Sequence, residues 1–331
     1  PKGMVPSYLD PRIERSHGSV TCKDWLLAAM KNCDVILHLA AFQDYLPQFS
    51  KFVDVNVSST ARIYELIVKH NFPIKKIVVA SSQAAMGEGL YKTKTGRKVF
   101  PNMRLEDDLR NAIWEPKGPK GMKWAPSDET VSNPQNPYGM SKIAEEMFAL
   151  HLGKRYNIPT VALRYSIVQG SRQSFYNAYS GACRIFSLAF HQGNEPPIYE
   201  DGNQIRDFVN IHDVVDANIL TMENSRADYE VFNVGGGKAI TVKDFAKVVA
   251  DVYGRTDYEP VACGRYRFGD TRHIFSDISK LKRLGWEPKR TVQDSVVEYK
   301  EWLDSTDSVD NIVEYCTKQM QKLNVVREVN A

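Results

Sequence analysis

The sequence predicts an α/β fold built on a doubly wound parallel sheet, and three observations carry that expectation. Residues 34–41 (DVILHLAA) and 74–80 (IKKIVVA) are continuous apolar runs, the pattern of strands buried on both faces. Residues 51–70 and 138–156 space their apolar side chains as helices do. Strand and helix alternate with short connections, which implies right-handed crossovers.

In chain order, residues 11–41 read as strand, turn, helix and strand. The helix over 51–70 has apolar positions at Phe52, Val55, Ile63, Leu66 and Ile67 and ends at Asn71, before Pro73. The strand over 74–80 runs into a small-residue turn, Ser81-Ser82-Gln83. Residues 87 to 137, rich in Gly, Pro and Lys, read as one long polar loop of the functional kind. A helix over 138–156 and a strand over 159–165 (PTVALRY) follow. Beyond Gly170 the texture changes to a helix, short strands and aromatic-rich loops. Strands near 206–210 and 230–234 are expected to rejoin the main sheet, and helices near 276–284, 291–304 and 308–322 to follow. Gly235-Gly236-Gly237-Lys238 lacks the spacing of a phosphate-binding loop and reads as a turn before a helix capped by Thr241. The expected organisation is a nucleotide-binding domain over 1–170, also receiving about 206–235, and a smaller, mainly substrate-binding C-terminal lobe over 171–331. A ligand crevice would lie between them at the carboxyl ends of the strands.

Composition narrows the function. In 331 residues, 43 lysines and arginines face 40 aspartates and glutamates, a surplus too small for a nucleic-acid footprint. No run reaches the roughly 18 apolar residues of a membrane helix. The five cysteines (22, 33, 183, 263 and 316) are scattered with no C-x-x-C pair, which argues against disulfides and zinc and for the cytoplasm.

Tyr138 and Lys142 stand four residues apart at a helix start, one turn from each other on one face. An ammonium there would draw a phenol from about 10 toward neutrality, as a general base for a sugar or alcohol hydroxyl requires. The same spacing also fits a plain helix start with a surface lysine. Ser81 and Ser82 end a buried strand, where sites of open α/β sheets gather, or simply form a turn.

These segments, with Asp54-Val55-Asn56-Val57 and Thr60, residues 78–87 (VVASSQAAMG), 137–142 (PYGMSK), 163–170 (LRYSIVQG), 201–209 (DGNQIRDFV) and 267–273 (RFGDTRH), occur in a telling order. That order resembles the extended short-chain dehydrogenase/reductases, the NAD-dependent nucleotide-sugar epimerase/dehydratase family, over about residues 8–305. The resemblance implies a Rossmann-like fold, NAD as cofactor and a nucleotide-diphosphate sugar as substrate. It implies Tyr138 as catalytic base, Lys142 as its partner on the nicotinamide ribose, and Ser82, rather than Ser81, as the hydroxyl orienting the sugar oxygen. It further implies Ala40 and Ala41 along the pyrophosphate, Asn56 supporting the cofactor side, and Ser19 near the adenine where relatives carry aspartate. Gln83, Asn177, Arg206, Arg267 and Asp270 fall at substrate-binding positions. Helices 51–70 and 138–156 resemble those that form a homodimer's four-helix bundle, with Ile143, Met147 and Leu150 as a stripe.

Family members that eliminate water carry an Asp-Glu pair after the strand-end hydroxyl; here Gln83 and Ala84 follow Ser82, which disfavours dehydration. The nearest resemblance is to 4-epimerases of the dTDP-L-rhamnose 4-epimerase type. It rests on the insertion after residues 87–91 (GEGLY) and on residues 173–181 (QSFYNAYSG). Residues 114–121 (WEPKGPKG) have glycines where relatives carry a second cysteine pair, so no metal is expected. Ser166-Ile167 replaces Phe-Asn, a departure at the substrate. The family also opens with a strand and a G-x-x-G-x-x-G turn that this sequence lacks, an expected shortfall of roughly 35–45 residues. A molecule without them is expected to bind NAD weakly. Epimerisation, net redox on a nucleotide sugar, and non-catalytic nucleotide-sugar binding all remain open at this point.

Overall fold

The structure, a computed structural model, describes residues 8–44, 46–174, 181–306 and 312–330. Helix α1 (Lys23–Met30) buries Leu26 and Met30 ahead of strand β1 (Val35–His38). The strand expected within 11–20 does not form; this segment has no regular secondary structure and is exposed as far as Ser19. A strand needs a hydrogen-bonding neighbour, and this segment pairs with none among the described residues. Next, α2 (Phe49–Phe52), a π-type turn over Val53–Ser58 and α3 (Ser59–His70) run as one continuous rod. The wider turn brings Asn56 fully into the core. Asn71, at φ 51°, caps α3 in the left-handed conformation.

Strand β2 (Lys76–Ser82) passes into a 3-10 turn, Gln83–Met86. The stretch expected as a loop instead forms β3 (Leu90–Lys92), β4 (Lys98–Val99), α4 (Glu106–Arg110) and β5 (Lys123–Ala125), the strands pairing antiparallel. These elements are too short for apolar periodicity and are tied down by charges, as described below. Asn136 accepts the Gly139 amide at 2.8 Å and so caps α5 (Pro137–Arg155), with Pro137 in the first turn. The chain continues through β6 (Thr160–Tyr165), β7 (Ile167–Gln169), α6 (Ala182–His191), β8 (Ile205–Asn210) and α7 (Ile211–Glu223). Then come β9 (Glu230–Val234), β10 (Ala239–Thr241), α8 (Val242–Val252) and β11 (Arg265–Arg267). Thr241 caps α8 through the Asp244 amide, as its position implied. Last are α9 (Ser279–Lys282), α10 (Val292–Asp304), α11 (Ile312–Lys322) and β12 (Val326–Glu328).

The main sheet is all parallel in the order β1-β2-β6-β9, with Leu37 opposite Val78, Val78 opposite Val161 and Leu163 opposite Phe232. Successive β2 side chains alternate between two cores. Ile77 and Val79 pack with Ile63, Leu66 and Ala149 of α3 and α5. Val78 packs with Val161, Leu163 and Phe232 against Val214 and Ala217 of α7. The sheet is therefore doubly wound, and each of these fully buried branched side chains contributes about 1.5–3 kcal/mol.

Strand β8 does not join this sheet as the sequence suggested. It lies in a second one, β10-β8-β7, parallel to β7 and antiparallel to β10. The reason is in its side chains. Phe208 enters the C-terminal core with Phe186, Phe245 and Tyr299, while Val209 faces the main core, so β8 bridges the two. No helix among the described residues is long and apolar enough to cross a membrane.

The site depends on α5 lying flush against the turn after β2. A Cβ on Gly139 would sit 2.4 Å from the Ala84 carbonyl oxygen, so any side chain there pushes the helix away. Gly139→Ala is expected to cost about 1–3 kcal/mol. Thermal denaturation checks this, and an unchanged Tm contradicts it.

Candidate active site

Tyr138 is the second residue of α5, and its hydroxyl hydrogen-bonds with that of Ser82 at the end of β2. The Ser82 Oγ also accepts the Ala84 amide at 3.1 Å, which opens the 3-10 turn. Ser81 faces the other way and donates to Glu146. Alternation at the strand end thus assigns the two serines different partners. Lys142, only 1% exposed, donates to the Ala80 carbonyl and to Glu145 Oε2, both at 2.7 Å. Its Nζ lies 5.9 Å from the centre of the Tyr138 ring. The sequence suggested that this ammonium would pull the phenol down. Burial outweighs it, and Tyr138 stays above its ordinary value of 10.

Asn56 braces the other side. Its amide accepts the Phe42 N–H at 2.7 Å and donates to the Phe42 carbonyl at 3.0 Å and to Ser141 Oγ at 2.8 Å. Ser141 in turn donates to the Tyr138 carbonyl at 2.7 Å. One amide therefore ties the segment after β1 to the first turn of α5.

A cavity of about 480 Å³ opens at the carboxyl ends of the strands. Ser82, Gln83 and Tyr138 line one part of it, and Arg206, Arg267 and Asp270 another. Arg206 donates to the carbonyls of Thr271 (2.9 Å) and Arg272 (3.0 Å) and stands 3.7 Å from Asp270. Arg267 lies over the Tyr199 ring at 5.1 Å. Ala40 and Ala41 are exposed just past β1 and do not line this cavity. Ser19 is not gathered into the site; its hydroxyl meets Thr21 at 2.8 Å in an exposed turn. Asn177 lies outside the described residues. The residues present fit the nicotinamide end of a dinucleotide. Tyr138 and Lys142 are set side by side, and the two alanines leave open backbone at a strand end, where a pyrophosphate approaches closely.

Sequence reasoning missed the charges that hold this arrangement. Glu146 takes Arg164 in a two-pronged fork, 2.8 Å on each arm, and Arg164 also donates to the Val131 carbonyl at 2.8 Å. Buried Asp207 accepts the Ser166 hydroxyl at 2.7 Å and the Gly236 amide at 2.8 Å, where the two sheets part. A second network anchors the segment between β2 and α5 to the cavity wall. Arg104 forks onto Glu200 (2.9 and 2.8 Å) and donates to the Asp270 carbonyl at 2.8 Å. Arg272 forks onto Asp201 (2.7 and 2.9 Å) and reaches Glu115 at 2.9 Å. Glu88 accepts the Arg272 amide at 2.7 Å and lies 3.5 Å from Arg104. One signal was present in the sequence: Arg164 interrupts an apolar strand run, and a charge there must find a partner.

Residues 5–105 and 113–235 match the NAD dependent epimerase/dehydratase family. The chain belongs to that family. It is 35% identical to the dTDP-L-rhamnose 4-epimerase of Burkholderia thailandensis over 82% of this chain and 75% of that protein. It superposes with a TM-score of 0.72 on a crystal structure of UDP-glucose 4-epimerase with UDP-glucose from Thermotoga maritima. That match is 28% identical and covers 88% of this chain and 84% of the other. A UDP-N-acetylglucosamine 4-epimerase from Methanobrevibacter ruminantium M1, in complex with UDP-N-acetylmuramic acid, gives a TM-score of 0.65 at 26% identity. It covers 85% of this chain and 79% of that one. The family is NAD dependent, its fold is Rossmann-like, and its members here are nucleotide-sugar enzymes.

Glu88 provides a test of the wall. Burial pushes its carboxyl from 4.5 to about 7, against the pull of Arg104. A carboxyl raised in the folded chain stabilises it while protonated; that contribution is complete below 4.5 and is lost as pH rises through 7. Glu88→Gln keeps the shape and removes the titration. In urea unfolding the variant is expected to lose less stability than the parent across this window, and parallel losses in the two proteins would contradict the assignment.

Proposed function

We propose that the chain interconverts nucleoside-diphosphate sugars that differ in configuration at carbon 4. One observation carries this reading: a hydroxyl-directed base group, Tyr138 with Ser82 and with the buried Lys142 behind it, faces a single cavity shared with two arginines, Arg206 and Arg267. Guanidinium forks suit a diphosphate, an arrangement that would leave the sugar at the tyrosine end. The B. thailandensis and T. maritima proteins, both 4-epimerases by name, support the same reading.

In this scheme Tyr138 reacts as its phenolate: Oη takes the proton of the 4-hydroxyl and later returns it to the 4-keto oxygen. The Ser82 hydroxyl holds that oxygen in both states. Lys142 would hold the nicotinamide ribose of the cofactor and favours the phenolate when the proton moves. Asn56 keeps the first turn of α5 in place, Ala40 and Ala41 would flank the cofactor's pyrophosphate, and Asp270 would meet the substrate beside the arginines. NAD, when bound, would supply reversible hydride acceptance, so that oxidation and re-reduction at carbon 4 leave no net redox. Gln83 opens the 3-10 turn and faces the cavity, and Ala84 follows it. Neither is an acid or base, so the chain's own residues do not support loss of water.

We further infer a cytoplasmic homodimer. The scattered cysteines favour a reducing compartment, which cell fractionation checks. Val68 on α3 and Met140, Met147 and Phe148 on α5 are large apolar side chains left exposed on adjoining helices. Sedimentation is expected to give twice the chain mass, and a monomer at micromolar concentration would overturn the dimer.

The function is tested by incubating the protein with NAD and a panel of dTDP- and UDP-sugars and resolving C4 epimers by NMR. Epimers are expected without accumulation of NADH; net NADH would point instead to a dehydrogenase. Tyr138→Phe is expected to lower kcat by about 100-fold or more. An unaffected rate would remove Tyr138 as the base.

A further inference from the structure

Beside Tyr138 and Lys142 lies a buried acid to which the scheme above gives no task. Glu145 is 0% exposed. Its Oε2 takes the Lys142 ammonium at 2.7 Å, and its Oε1 stands 3.7 Å from His38 Nε2. His38 is held in turn by the hydroxyls of Thr60 at 3.1 Å and Ser59 at 3.2 Å. Glu146, next in the chain, is already matched by Arg164 and Ser81. On an exposed helix, a lysine and a glutamate three residues apart form a weak solvated pair. Here both are inside the core, where such a pair costs more to desolvate than a well-packed apolar pair of the same shape.

We propose that Glu145 is a positioning residue for the reaction: it anchors the Lys142 ammonium through Oε2 and offsets its charge at the Tyr138 phenol. The proposal rests on the reading of Tyr138 as the base. A lone ammonium 5.9 Å from the phenol ring favours the phenolate. An ammonium in contact with a carboxylate acts as a dipole, whose influence falls off faster with distance than that of a single charge.

The groups around the pair agree. Tyr138 is held up by burial, drawn down by Lys142 and Ser82, and raised again by Glu145. Burial pushes Glu145 to about 7 while Lys142 draws it back, and Glu146 from the same helix raises it. His38, from β1, is pushed down to about 4 by burial and by Lys142, so it is neutral near pH 7 and adds no charge. Thr60, from α3, contributes a hydroxyl only, and Arg164, from β6, spends its charge on Glu146.

The test uses the cofactor-free chain labelled with 13Cζ-tyrosine, with the Tyr138 resonance identified by its loss in Tyr138→Phe. Its titration is followed in the parent, Glu145→Gln, Lys142→Met and the double variant. Glu145→Gln is expected to lower the Tyr138 midpoint by about one pH unit, and Lys142→Met to raise it. A folded Glu145→Gln with a midpoint at or above the parent's overturns the proposal. If that variant does not fold, Lys142→Met and the double variant decide, since the latter replaces the buried pair with two neutral groups. The double variant is then expected to titrate below Lys142→Met, and equal midpoints overturn the proposal. The titration needs no turnover, so its failure leaves the epimerase reading standing, and failure of that reading leaves the charge coupling measurable.

Discussion

The fork between Glu146 and Arg164 joins the middle of α5 to β6 through two 2.8 Å hydrogen bonds deep in the protein. It fixes the roll of the helix about its own axis, and that roll decides what Tyr138 faces. Breaking a buried pair of this kind costs about 3–5 kcal/mol, because the surviving charge is left without a partner. The fork also engages Ser81, which leaves Ser82 as the hydroxyl for Tyr138. Asn56 and the Asn136 cap hold the first turn from the opposite end. The geometry of the candidate base thus depends on contacts spread along α5, most of them away from the cavity.

Those dependencies explain what could be read in the sequence. Strands β2 and β6 are covered on both faces, so burial writes an unbroken apolar run that needs no knowledge of partners. Helix α5 and the cap at Thr241 are written in local residue chemistry and are equally legible. The strand expected before α1 is different, since an extended segment becomes a strand only when something pairs with it. Strand β8 divides Phe208 and Val209 between two cores, a property of the assembled layers that local alternation does not encode.

In the site, the four-residue spacing brought out Tyr138 and Lys142, but it shows neither depth of burial nor Glu145. Both work against the lysine, which is why the phenol lies above its ordinary value where spacing alone suggested below. Ser82 could be separated from Ser81 only by family resemblance until the strand end placed them on opposite sides. The segment over 87–137 was hidden for a related reason. Its order comes from Arg104, Glu115 and Glu88 meeting residues far along the chain, and polar composition gives no sign of such meetings.

The span of those meetings bears on how the molecule is made. Glu88 and Arg272 are 184 residues apart, Arg104 and Glu200 are 96 apart, and the Asn330 amide closes onto the Arg110 carbonyl. During synthesis the first half of the cavity wall leaves the ribosome well before the residues that complete it. Contacts of such separation form late, because the entropy of closing the loop must be overcome before they add stability. The main sheet can settle early through neighbouring strands, while the cavity wall waits for residues 200–272. Closing the cavity wall is therefore among the last steps in the folding of a newly made molecule.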